Sequence, residues 1–321
     1  MNEINREIIH IISRFSNWTA GGIEKTFKDK KIYADESAWI KFVKIFLIGI
    51  GISFAIAGII FFFAYNWASM HKFLKLGLLE ALVVGAIMVV LFSKLDLNIK
   101  DIILAGTSVL VGGLFAVYGQ IYQTGANAYD FFFGWSVAIG LWALFSNFPP
   151  LWMIFILLIN TTIILCKNQV AYDLTYTSIF NVLFLINTVT VVGTEMLYKY
   201  KKLEILPSWF NIVLSLASVT YITVNVLSAI FSNHPEVGTG IAILFAIISF
   251  SAAVWYAIYK KDVFYIALIS TSVIFIMTSL IAKSTKLDIG MFFILGLFVI
   301  ACFTSLILLI VKLKKDWYGQ Q

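Results

Sequence analysis

Charge is scarce in this chain. Only 12% of its 321 residues are Asp, Glu, Lys or Arg, against roughly one quarter in an ordinary soluble domain. A single water-facing globule is therefore excluded, because there is too little polar surface to cover so apolar a core. Cysteine is scarcer still. Cys166 and Cys302 lie far apart, inside or at the ends of apolar runs, which reads as two buried inert thiols rather than a redox pair or a metal site. Histidine occurs at His10, His71 and His234 alone. No HExxH, Walker loop, GxSxG or paired-cysteine pattern is present, so a hydrolase or nucleotide-driven mechanism has no motif to stand on. No metal and no cofactor are expected, and the reading leans away from an enzyme. The start, MNEINREIIHIISRFSNW, lacks the basic flank, short apolar core and small-residue site of a secretory leader. The first spanning segment is expected to act as the uncleaved insertion signal.

Apolar residues are abundant instead: 61% of the chain, with 29 Phe, 14 Tyr and 9 Trp. They gather into ten segments, at about 42–65, 73–92, 101–122, 129–147, 149–166, 174–194, 207–231, 237–258, 262–281 and 289–311. Each is close to the roughly 20 residues a helix needs to cross a ~30 Å hydrocarbon layer. The fold class expected is all-α, a polytopic helical membrane protein with about ten transmembrane helices. Asn147-Phe148-Pro149-Pro150 between the fourth and fifth segments admits either a tight helical hairpin or a broken re-entrant pair.

Residues 1–41 read as a short cytoplasmic polar and amphipathic region, 42–311 as the bundle and 312–321 as a cytoplasmic tail. Ile4, Ile8, Ile11, Ile12 and Phe15 recur at helical spacing, and a second short helix is expected from Ala34. Ala20-Gly21-Gly22 is expected to break the chain between them, beside a basic stretch of Lys25, Lys28, Lys30 and Lys31. With the N-terminus inside, 18 of the 23 Lys and Arg fall on the inner side, and only Lys72, Lys75, Lys167, Lys283 and Lys286 fall outside. The bias places both termini in the cytoplasm of a bacterial inner membrane. The net charge of +6 is thus an orientation signal, and no nucleic-acid partner is expected.

Polar residues inside the spans are the functional candidates. Glu80 lies about 10 Å below the outer end of the second segment at 1.5 Å per residue, where a carboxylate must be protonated or paired. It is read either as a hydrogen-bonded helix contact or as a proton- or substrate-linked group. Lys75, five residues away, is poorly spaced to pair with it and is expected to extend its stem outward. The second feature is YGQIYQTGANAYDFFFGW, in which Tyr118 and Tyr122 share a helical face beside Gln120, followed by Asn127 and Asp130. Hydrogen-bonding groups beside rings suit a sugar, a head group or a small solute. The alternative is an interfacial loop that only anchors its helices. Asn66 and Trp67 end the first segment on the same side. Asn160, Asn181, Asn187 and Asn225 read singly as helix-bonding groups and together as a polar cavity opening outward. Gly51, Ala55 and Gly58, and Gly112 with Ala116, are small-residue positions that let helices approach.

From Trp18-Thr19-Ala20 to about Asn160 the chain resembles the DUF2157 (domain of unknown function 2157) membrane-protein family. The resemblance rests on FFFAYNW at Phe61–Trp67, on Lys75, and on GQIYQTGANAYDFFFGW at Gly119–Trp135. It departs at Asn127, where the family favours an acidic residue. It implies a polytopic inner-membrane protein with a small N-terminal cytoplasmic segment, and it supplies no catalytic residues to carry over. Two functions stay open. One is a transporter or binder of a polar or amphiphilic envelope-associated compound. The other is a non-enzymatic scaffold, regulator or assembly factor with a protein partner at the N-terminal region. Glu80, Tyr118, Gln120, Tyr122, Asn127, Asp130, Asn66 and Trp67 form the candidate site, and the expected partners are membrane lipids and a small polar solute or lipid head group.

Overall fold

The computed structural model describes residues 19–29, 36–122, 125, 127–200, 207–232, 236, 238–285 and 288–318. These residues form eleven helices: α1 (Ala20–Asp29), α2 (Glu36–Tyr65), α3 (Lys72–Phe92), α4 (Leu97–Tyr122), α5 (Ala128–Phe145), α6 (Pro149–Gln169), α7 (Tyr176–Lys199), α8 (Ser208–Phe231), α9 (Thr239–Lys260), α10 (Val263–Ser284) and α11 (Ile289–Tyr318). Ten of them, α2 to α11, are long and apolar enough to cross a membrane. Helices satisfy every backbone group internally, which is what a hydrocarbon solvent demands. The protein is a polytopic helical membrane protein with the ten spans expected.

Two local expectations change and one alternative is decided. The chain does not break at Ala20-Gly21-Gly22; those residues open α1, and the stop lies at Thr19, whose hydroxyl accepts from the Gly22 N–H at 3.3 Å. A side-chain acceptor ahead of the first turn fixes a helix start more strongly than two glycines disfavour it. The helix expected from Ala34 is continuous with the first span, giving the 30-residue α2, about 45 Å long. The fourth and fifth spans are separate helices, α5 and α6, with Pro149 and Pro150 in the first turn of α6, where a missing N–H costs nothing. They pack against each other as a hairpin. The helix expected at Ile4–Phe15 lies outside the described residues.

The chain divides into two compact units, residues 1–117 with 318–321, and residues 118–317. In the first, α4 meets α2 at Gly106, where a Cβ would stand 2.7 Å from Ile52 Cγ2 and 2.8 Å from Ile56 Cδ1. That close approach was expected at Gly51 and Gly58, but an added Cβ at either would meet nothing within 4 Å. Glycine permits contact; the rotation of each helix decides which glycine is used. In the second unit α8 is central and packs on α7, α9 and α10, while α7 also packs on α6. Phe184, Ile222, Val226, Ala242 and Ala246 form its main core, and Met153, Ile156, Phe210 and Leu214 a second cluster. Large apolar side chains such as Phe46, Phe54, Phe61, Phe292 and Leu297 remain exposed, as a lipid-facing surface requires.

Candidate functional site

The predicted site residues fall in both units, with Asn66, Trp67 and Glu80 in the first and Tyr118, Gln120, Tyr122, Asn127 and Asp130 in the second. In the first unit Asn66 follows the last residue of α2, and its side-chain amide donates to the Phe62 carbonyl at 2.9 Å. His71 then caps α3, its Nδ1 accepting from the Phe73 N–H at 3.4 Å. Lys75 does not extend outward as expected. It is 8% exposed and its ammonium sits 3.8 Å from the centroid of the Trp67 ring, because the turn folds the indole over the start of α3 and a desolvated ring face attracts a cation. Glu80 is exposed, and among the described residues of its unit it has neither a hydrogen bond nor an ion pair.

In the second unit the Tyr118 and Tyr122 rings lie 4.7 Å apart, the i,i+4 neighbourhood read from their spacing. Gly125, at φ +65°, turns the chain in a conformation side chains disfavour. Asn127 and Asp130 are committed to local structure: the Asp130 carboxylate accepts from the Asn127 N–H at 3.1 Å as the reciprocal half of a helix cap. The Tyr129 N–H in the same first turn donates to Gln169 Oε1 at 2.9 Å, which ties the start of α5 to the end of α6.

A polar seam along α8 joins residues that the sequence reading left separate. Asn211, Ser215 and Ser218, then Asn225, Ala229 and Ser232, fall on one helical face at four- and three-residue steps, with the buried Ile222 between the two groups. Near the start of α8, the Asn211 amide donates to Glu195 Oε1 at 2.8 Å, Tyr256 donates to Glu195 Oε2 at 3.0 Å, and Thr194 donates to Asn211 Oδ1 at 3.0 Å. Ser215 donates to the Tyr265 hydroxyl at 3.4 Å. Further along, Ser218 meets Thr188 and Thr223 meets Ser272. Asn225 then donates to Asn181 Oδ1 and to the Thr177 carbonyl, each at 3.0 Å. The signal was present as spacing, but the partners come from other helices. Asn160 and Asn187 also pair, the Asn187 amide donating to Asn160 Oδ1 at 2.9 Å and receiving a weaker bond at 3.4 Å. The four asparagines thus do not line one cavity as expected; they bond in two pairs, Asn160 with Asn187 and Asn181 with Asn225, as amides within a membrane tend to do.

A smaller cavity, about 190 Å³, does open beside one of those pairs, lined by Tyr176, Thr177, Phe180, Ser228, Ala229, Ser232, Glu236 and Thr239. The start of α7 forms one wall, and there Glu236 Oε2 accepts from the Thr177 N–H at 3.4 Å, placing a carboxylate where helix N–H groups and the helix dipole favour it. Gly238, at φ +100°, brings its carbonyl to 3.3 Å from the Asn181 amide. Asn225 lies one turn along α8 from Ser228 and Ala229. It is fully buried, and its Oδ1 has no hydrogen-bond partner among the described residues. Carboxylate, hydroxyls and two rings together can hold a small polar or amphiphilic molecule by hydrogen bonds on one side and ring contact on the other. No group of three or more metal-ligating side chains occurs among the described residues.

Ten apolar helices with polar residues paired between them define a multi-pass membrane protein. Residues 21–152 match the family DUF2157, described as a predicted membrane protein. The match runs from α1 through α5 into the first turn of α6, and the polar seam and the cavity lie on α7 to α10, beyond it. No curated protein and no solved structure matches the chain.

Proposed function

We propose that the protein binds, and carries across the membrane, a small polar or amphiphilic compound, with the cavity at the start of α7 as its binding site. The observation that supports this reading is the cavity's combination of Glu236, four Ser and Thr hydroxyls and the Tyr176 and Phe180 rings beside Asn225 Oδ1, which has no hydrogen-bond partner among the described residues. About 190 Å³ admits a solute of several heavy atoms and is smaller than the roughly 300–1,000 Å³ of drug-sized sites. The polar residues of α8, paired with side chains of α7 and α10 on both sides of Ile222, put further hydrogen-bonding groups between this cavity and Glu195. Tyr118, Gln120 and Tyr122 are proposed as a further polar face for the same class of compound, and Glu80 as an additional intramembrane carboxylate. The test is a thermal-stabilisation screen of the purified chain against amines, polyols and head-group analogues. At least one class should stabilise the protein, and Glu236→Gln should weaken that binding about ten-fold, the loss of one charge-assisted hydrogen bond. A screen without a hit, or a hit indifferent to Glu236→Gln, refutes the site.

The mutual satisfaction of Asn160 with Asn187 favours a second reading, a rigid scaffold whose intramembrane polar groups serve packing alone. Crosslinking in native membranes separates the two: a reproducible protein partner supports the scaffold.

A further inference from the structure

We propose that the first unit holds an anionic phospholipid, with one acyl chain in a groove between α2 and α3 and the phosphate at Lys72 and Lys75. The groove measures about 420 Å³ and is lined by apolar residues alone: Ala55, Gly58, Ile59, Phe62 and Phe63 of α2, and Leu78 and Leu82 of α3. The lined stretch runs from Ala55 to Phe63 on α2, about 12 Å at 1.5 Å per residue, and Lys75 stands about 4.5 Å along α3 before its first lining residue, Leu78. Lys75, Leu78 and Leu82 follow one another at three- and four-residue steps. They therefore share a face of α3, and the groove's polar end is the lysine end.

Charge complementarity selects the occupant. Between Glu36 and Glu80 the chain carries no acidic residue, so nothing on either helix neutralises the lysines at this end. Glu80 lies nearly opposite the Lys75–Leu78–Leu82 stripe at 100° per residue. The Lys75 ammonium is buried, and among the described residues its partner is the Trp67 ring face. An indole attracts a cation without cancelling its charge, and an anionic oxygen does both. Lys72 is exposed one turn away and supplies a second cation to the same head group. The lipid's hydrocarbon covers the phenylalanine and leucine walls, and its phosphate meets the two ammonium groups at the membrane boundary, where a tryptophan belongs.

Native mass spectrometry of the full chain, with phosphatidylglycerol and phosphatidylcholine of the same acyl composition, tests this. The wild type should retain phosphatidylglycerol at least about five-fold better, and Lys72→Gln should lower that preference by about five-fold, the worth of one lysine near an anionic surface. Lys75→Gln should do the same. Should that buried substitution prevent folding, Lys72→Gln stands by itself, since its side chain is exposed. Gly58→Leu puts a side chain into the groove from a position where a Cβ meets nothing within 4 Å, and it should reduce retention of both lipids alike. Equal retention of the two lipids by the wild type overturns the proposal, as does phosphatidylglycerol retention unchanged by Lys72→Gln and Gly58→Leu. Displacement of the lipid by glycerol phosphate alone also overturns it, since the acyl chain would then contribute nothing.

Discussion

Replacing Asn160 by Leu should destabilise the protein more than replacing Asn160 and Asn187 together. Asn187 is 0% exposed and Asn160 6%, so neither amide can turn to water. In the single variant Asn187 keeps its bond to the Leu183 carbonyl at 2.8 Å, but it loses the acceptor at 2.9 Å and the donor at 3.4 Å. An interhelical hydrogen bond in a membrane is worth about 0.6 kcal/mol on average and about 1.7 kcal/mol at most. A polar atom stranded in a buried site adds about 1–3 kcal/mol, so the single variant should lose about 2 kcal/mol. The double variant strands nothing and places two leucines, of the same branched shape though somewhat larger, in an apolar interface, so it should lie within about 1–2 kcal/mol of the wild type and above the single variant. The measurement is a double-mutant cycle by reversible unfolding in mixed micelles, followed by tryptophan fluorescence. Losses that add to within about 0.5 kcal/mol would refute the view that the two amides satisfy each other.

Other expectations follow from single sites. Gly106→Ala should cost about 1–3 kcal/mol by overpacking, since its Cβ meets Ile52 Cγ2 at 2.7 Å; Ile52→Ala in the same chain should restore part of the loss in a thermal-melt assay, and an additive loss would contradict the contact. Tyr256→Phe should cost about 1 kcal/mol through its bond to the Glu195 carboxylate and should have little effect in a Glu195→Ala background. Glu80→Gln should leave the melting temperature unchanged, because the exposed carboxylate has no bond among the described residues of its unit, while abolishing solute binding or transport; normal activity in both Glu80→Gln and Glu80→Leu would remove it from the site. Single cysteines at Lys30, Lys201 and Lys314, with Cys166 and Cys302 replaced, should react with impermeant thiol reagents from the cytoplasmic side, and those at Asn127 and Lys286 from outside. The reverse pattern would overturn the orientation drawn from the lysine and arginine count.

The sequence by itself determined the class of this protein and the number of its spans. An apolar run of about 20 residues that meets lipid has one way to satisfy its backbone, so helix existence is a local property. The Tyr118–Tyr122 neighbourhood was legible for the same reason, lying within one helix. Tertiary structure decided which polar groups meet. Asn187 finds Asn160 across 27 residues and Asn225 finds Asn181 across 44, and those meetings depend on how each helix is rotated, which no run of residues encodes. It also decided that helices approach closely at Gly106 rather than at Gly51, that Lys75 turns inward onto Trp67, and that Asp130 caps α5. The α8 stripe lies between these cases: its spacing is visible in the sequence, but hydrocarbon imposes the pairing only once neighbouring helices are in place, because an amide or hydroxyl without water must take whichever partner the packing brings within reach.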